Sequence, residues 1–217
     1  QAEDGIRDSV ASRGLGDVYK RQIMTYTFIG GKNREEFPEF EELFKLVESQ
    51  MGYLPNAYLA MAEKPELLNS FSGLISSVFK NSEIDLETKQ LIALASSLSA
   101  GCKYCQSHTS HGAERAGADT EKIADILKYS TSEKYSEKER AVLDLAFLSG
   151  LSPNGAKKEN FDKLLEFFSK DQILEIVSVI AAFGFLNRWN DTLGTVMEDE
   201  PKNFVTNELV PKGWDKF

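Results

Sequence analysis

From Phe37 onward, apolar residues recur three and four positions apart, and Gly, Pro, Asn and Asp fall between the runs, the pattern of successive amphipathic helices. Phe40, Leu43, Phe44, Val47 and Met51 make one face of a first helix, which Gly52 and a turn at Pro55-Asn56 bring to an end. A second begins near Pro65, a good first-turn residue, with Leu68, Phe71, Leu74, Ile75 and Phe79 on one side. Asp85 is placed to cap a third, which runs through Leu91, Leu94, Ala95 and Leu98 to Gly101, and a fourth opens at the cysteine pair that follows. Further helices fit Thr120 to Lys128, Ser136 to Leu148 with a Ser136/Glu139 capping box, Phe161 to Phe168, and Asp171 to about Leu193. With no strand pattern and no dividing linker, the chain is expected to form a compact all-α multi-helix domain. A shift of 85 lays Cys102-Lys103-Tyr104-Cys105 over Asn187-Arg188-Trp189-Asn190, compatible with a degenerate internal repeat, although a shift of 51 aligns Ser136 to Ala146 with Asp85 to Ala95 nearly as well.

Residues 1–22 read differently. Glycines and charges are scattered without a period, no apolar signal-peptide core is present, and the string resembles translated adapter read-through. We expect 1–22 to be a disordered, non-native leader that carries no functional residue, and 23–217 to be a single all-helical domain.

At 217 residues the chain can bury a core without disulfides or metals to hold it. A net charge of -9 gives no attraction for nucleic acid or anionic lipid, so neither is expected as a partner. The most apolar stretches, Leu91 to Gly101 and Ile173 to Leu186, fall short of the roughly 20 residues of a membrane span. No membrane partner is expected, and the location is expected to be cytoplasmic.

Stability therefore does not explain the two cysteines, Cys102 and Cys105, which sit three apart where a helix starts. Unpaired N–H groups and the helix dipole favour thiolate there, which would make Cys102 the more acidic thiol. Side chains three apart on a helix lie roughly 5–6 Å apart at Cβ, wider than a disulfide wants, so a bond between them is expected to be reducible and suited to a reaction cycle. The pair could instead pack as inert small hydrophobes, lie exposed without a role, or bind zinc with His108 and His111. On one continuous helix the four donors drift around the axis, and a closed tetrahedron would need broken helix. His108 follows Cys105 by one turn on the same face and is expected to carry protons, whereas His111 reads as an ordinary surface histidine.

At these residues the sequence resembles the carboxymuconolactone decarboxylase superfamily, in its alkyl hydroperoxidase D-like, peroxidase-related branch. The likeness spans most of 35–200 and rests on Gly52-Tyr53-Leu54-Pro55-Asn56, Lys64-Pro65-Glu66-Leu67, Leu91-Ile92-Ala93-Leu94, Gly101-Cys102-Lys103-Tyr104-Cys105-Gln106-Ser107-His108-Thr109 and Asn187 to Gly194. It implies an all-helical fold, homo-oligomers, and reduction of organic hydroperoxides by a Cys-x-x-Cys pair cycling between dithiol and disulfide, with no cofactor and no metal. By that likeness Cys105 attacks the peroxide and Cys102 resolves the sulfenic acid and exchanges with an external thiol reductant, thioredoxin-like or lipoyl. A glutamate common in the family twelve residues before the first cysteine is Gln90 here, and the histidine falls three rather than four residues after the second cysteine. Gln90 can orient a water but cannot take a proton, so a carboxylate elsewhere is expected to tune His108, with Glu87 ahead of Glu175. A decarboxylase-like lyase and a non-catalytic zinc-binding or oligomeric interaction protein are the alternatives.

Overall fold

In the computed structural model, which describes residues 26–215, the segment Leu91–Ser97 is buried at every position. A helix apolar or small on all sides belongs at the centre of a bundle, and the remaining helices arrange themselves around it. The expected leader lies outside the described residues. These contain ten α-helices: α1 Glu41–Met51, α2 Asn56–Ala62, α3 Pro65–Val78, α4 Leu86–Ala100, α5 Lys103–Arg115, α6 Thr120–Ala124, α7 Glu137–Gly150, α8 Lys158–Leu164, α9 Lys170–Leu193 and α10 Asp199–Phe204. Short 3-10 turns precede α1 and follow α6, a π turn at Val205–Leu209 follows α10, and the only β feature among the described residues is an isolated bridge between Thr27 and Gly30.

Central α4 packs on α5, α7 and α9, and this group encloses the main core. A second core joins α1, α2 and α3 through Phe40, Phe44, Met61, Leu68 and Phe71. Ile75 and Leu186 touch both, so the two cores meet along one seam, and a pocket opens there.

Local chemistry accounts for most boundaries. Asp85 accepts from the Thr88 N–H, and Ser136 and Ser169 each head a reciprocal capping box, with Glu139 and Gln172. Several expectations change. α2 follows the Pro55-Asn56 turn directly, and both it and α10 lie outside the helices that the sequence pattern predicts. The helix expected over Phe161 to Phe168 runs instead over Lys158–Leu164, because Asn160 caps back onto Lys157 and the residues after Leu164 turn toward the Ser169 cap. Leu74 is 47% exposed rather than part of the buried face. The shift of 85 has no second hairpin to match, since α9 continues unbroken through Leu186, where the α4–α5 turn would fall.

By length and hydropathy α9 could cross a membrane. Here Ile173, Ile176, Val179, Ala182 and Phe183 are buried inside the bundle, and Glu175 pairs with Lys89 of α4 at 2.6 Å, so α9 is a core helix. Lys89 is 1% exposed and also donates to the Lys80 carbonyl. Burial works against ionisation of Glu175, but the hydrogen bonds from Lys89 and Ser82 outweigh it and hold the carboxyl below its ordinary value of 4.5. The stability contributed by this shift is full above the unfolded value and is lost as pH falls through the folded one. Glu175→Gln strands the buried ammonium and is expected to cost about 3 kcal/mol in urea denaturation, with Glu175→Gln plus Lys89→Met recovering most of the loss. Equal losses in the single and double variants would count against the pairing.

Candidate active site

Gly101 ends α4 in the left-handed region at φ 81°, a conformation that favours glycine, and the chain turns at once into α5. Cys102 is the N-cap of α5, and its sulfur accepts from the Cys105 N–H at 3.3 Å. Both cysteines are free, and they are 0% and 2% exposed respectively. Only Cys105 reaches the seam, where a cavity of about 430 Å³ opens between α5 and the α1–α3 layer. Cys102 is enclosed behind it. The hydrogen bond with Cys105, then burial, push the Cys102 thiol well above its ordinary value. That overturns the expectation from the helix terminus, because the favourable N-cap position is outweighed by the neighbouring sulfur and the loss of solvent.

Along α5 the residues Cys105, His108, Thr109, Gly112 and Arg115 form a stripe at helical spacing, and all five line the cavity. The His108 ring stacks on Tyr104 at 4.0 Å, and its Nδ1 lies 2.8 Å from the Tyr104 carbonyl, an acceptor, so Nδ1 bears its hydrogen. Its Nε2 is 2.7 Å from Oε2 of Glu198. Although the separation is short, neither atom has an aligned hydrogen bond, so this is a close polar contact rather than a straight N–H···O bond. A proton carried by either atom would face the other across this contact.

Glu198 caps α10 and arrives from the far end of the chain. Its Oε1 accepts from the Tyr104 hydroxyl at 2.8 Å and from the Asn56 N–H. The α2 N-cap is Pro55, which offers no side-chain acceptor, so Glu198 and the Tyr104 oxygen, 3.3 Å from the Ala57 nitrogen, satisfy that helix terminus from outside. Glu87 bonds Lys122 at 2.7 Å, and Lys122 also bonds Glu139, whereas Glu175 is held by Lys89. Both carboxylates are thus held by lysines, and the carboxylate that the structure places against His108 is Glu198. Gln90 lines the cavity, packed so close to α5 that a Cβ at Gly112 would lie 2.7 Å from its Oε1.

His111, expected at an ordinary surface, is half-buried between Tyr53 and Phe204, with ring centroids 5.9 and 5.4 Å away. Burial, then the Arg115 charge, lower its basicity. With His108 turned to Glu198 and His111 held between rings, the four donors of the zinc alternative do not converge, and no group of three or more such donors does among the described residues. Asn190 of α9 points its Nδ2 at the Cys105 sulfur, 3.5 Å away.

Residues 65–147 match the profile of the carboxymuconolactone decarboxylase family. A cysteine-to-alanine variant of the debrominase Bmp8, solved with 2,3,4-tribromopyrrole, is 37% identical, with 83% of this chain and 96% of that one covered and a TM-score of 0.77. The chain belongs to the carboxymuconolactone decarboxylase family. As a member of this enzyme family it also shares the fold of an uncharacterised peroxidase-related protein with an alkylhydroperoxidase AhpD core from Ralstonia eutropha JMP134, at 20% identity, 81% and 94% coverage and a TM-score of 0.73. An uncharacterised protein of Bacillus subtilis (strain 168), YdfG, is 26% identical over 112 residues, 51% of this chain and 74% of its own length. The matched family segment contains both thiols and His108 but stops far short of Asn190 and Glu198.

Proposed function

We propose that this protein reduces organic hydroperoxides with its Cys102/Cys105 dithiol. The observation that carries the reading is the ordering of the pair: one sulfur faces a cavity, the other is enclosed beside it, and His108 lines the same wall with its Nε2 2.7 Å from Glu198. Cys105 thiolate attacks the outer peroxide oxygen, the O–O bond breaks, and the departing alkoxide takes the proton held by His108. Cys102 then attacks the Cys105 sulfenic acid, a disulfide forms and water leaves. One hydroperoxide and two thiols become one alcohol, one water and one disulfide.

An external dithiol closes the cycle. Cys102, expected from the family likeness to meet that reductant, is enclosed, and access runs through the cavity to Cys105. A slender lipoyl arm fits this path better than a folded thioredoxin-like surface. For self-association, the groove of about 770 Å³ along the outer face of α9, with Val177, Phe185 and Trp189, supports the homo-oligomer expectation.

The likeness to the debrominase favours a second substrate class for the same dithiol, a halogenated aromatic, with loss of halide and the same disulfide as product. Mixing the reduced chain with cumene hydroperoxide or with 2,3,4-tribromopyrrole, then counting free thiols, remaining substrate and released bromide, separates them. The expected result is one hydroperoxide consumed per two thiols lost. Thiols that survive both reagents would overturn the dithiol reading, and loss with the bromopyrrole alone would move the substrate class.

A further inference from the structure

Two polar groups on the cavity wall take no part in the chemistry above. Arg115, at the last position of α5, is exposed to solvent on one side and lines the cavity on the other; it donates to the Gln50 carbonyl, at 3.2 Å, and has no carboxylate partner among the described residues. Tyr53 is 6% exposed, lines the same cavity, and its hydroxyl has no hydrogen-bond partner among the described residues. A buried hydroxyl without a partner costs on the order of 1–3 kcal/mol, which makes the cavity the natural source of its partner. The residues are linked: Gly52, next to Tyr53, presses on the Arg115 guanidinium, where an added Cβ would stand 3.2 Å from Nη1.

Ten residues separate Cys105 from Arg115 on one helix, about 15 Å along its axis. Arginine side chains on a helix lean toward its N-terminus, which brings the guanidinium back to within roughly 10 Å of the sulfur. Much of the remaining wall is apolar, with Phe71, Ile75, Phe79, Phe183 and Leu186. Reactive sulfur, apolar wall and unpaired cation with a hydroxyl donor thus follow one another along a single cavity. Small compact substrates span only part of that length.

Resting on the hydroperoxide reading, we infer that Arg115 and Tyr53 form a carboxylate-recognising subsite, and that the substrates are amphipathic acids carrying the peroxide partway down an alkyl chain, as in fatty-acid hydroperoxides. The guanidinium and the phenol hydroxyl donate to the carboxylate, the chain lies on the apolar wall, and the peroxide oxygen meets Cys105.

Binding and turnover test this separately. In calorimetric titration of the full reduced chain, decanoate is expected to bind at least about tenfold more tightly than decanol, since a charge-assisted pair is worth at least that much. Arg115→Met is expected to bring the acid-to-alcohol ratio close to one, and Tyr53→Phe, which keeps the ring stacked on His111, to reduce it in part. In turnover, the kcat/KM ratio of linoleic acid hydroperoxide to its methyl ester is expected to fall about tenfold in Arg115→Met, mostly through KM. Equal binding of acid and alcohol by the unmodified chain, or an acid preference that survives Arg115→Met, would overturn the subsite. Because decanoate is not a substrate, the binding result holds whether or not hydroperoxides are reduced, and failure of the hydroperoxide reading is visible only in the turnover arm.

Discussion

Cys105→Ser is expected to lower hydroperoxide turnover at least about a thousandfold, while Cys102→Ser retains one rapid turnover and then stops. The difference follows from the burial order of the two sulfurs. Without Cys105 nothing in the cavity attacks oxygen; without Cys102 the attack proceeds, but the sulfenic acid has no thiol behind it. Rapid mixing with cumene hydroperoxide, followed by mass measurement after dimedone trapping, reads both outcomes. Cys102→Ser should give one equivalent of peroxide consumed and a dimedone adduct on Cys105. An adduct on Cys102 in the Cys105→Ser variant, formed at a comparable rate, would reverse the roles.

The second large effect concerns the proton. Glu198→Gln and His108→Gln are each expected to lower kcat by about a hundredfold or more, the usual scale of general acid–base catalysis. Their combination should cost little beyond either alone, because the proton belongs to the pair. Glu87→Gln and Glu175→Gln, whose carboxylates sit on lysines away from the cavity, should leave the pH profile of thiol alkylation and peroxide consumption in place. Additive losses at His108 and Glu198, or a profile that moves with Glu87, would sink the assignment.

The sequence marked much of the fold because its helices advertise their own ends. Asp85, the Ser136/Glu139 box and Gly101 are local signals, read within one turn of chain, and each stands where expected. α2 gave no such signal: its cap lies 142 residues away, in Glu198. The same distance hid the contact between His108 and Glu198. In Met197-Glu198-Asp199-Glu200-Pro201 the carboxylate reads as a solvated turn residue, whereas Glu87 lies three residues before Gln90 on much the same helical face and Glu175 falls on Gln90 under the shift of 85. A usable clue did exist, since Phe204, Val205 and Leu209 behind the acidic run are apolar at helical spacing and bring the segment down onto α5. Pocket-lining Tyr53 and Asn190 were legible as residues of the resembling blocks, but not as neighbours of the His108 ring and of the Cys105 sulfur.

Glu198 also bears on how such proteins diversify. The dithiol and His108 lie within the segment matched by the family profile, whereas the carboxylate that meets that histidine belongs to a tail outside it. The thiols and the carboxylate that the proposed mechanism joins are thus carried by separate stretches of chain. Exchanging the tail while keeping the dithiol helix would leave the electron chemistry intact and retune which leaving group can be protonated, an evolutionary joint located at the docking of α10 on α5.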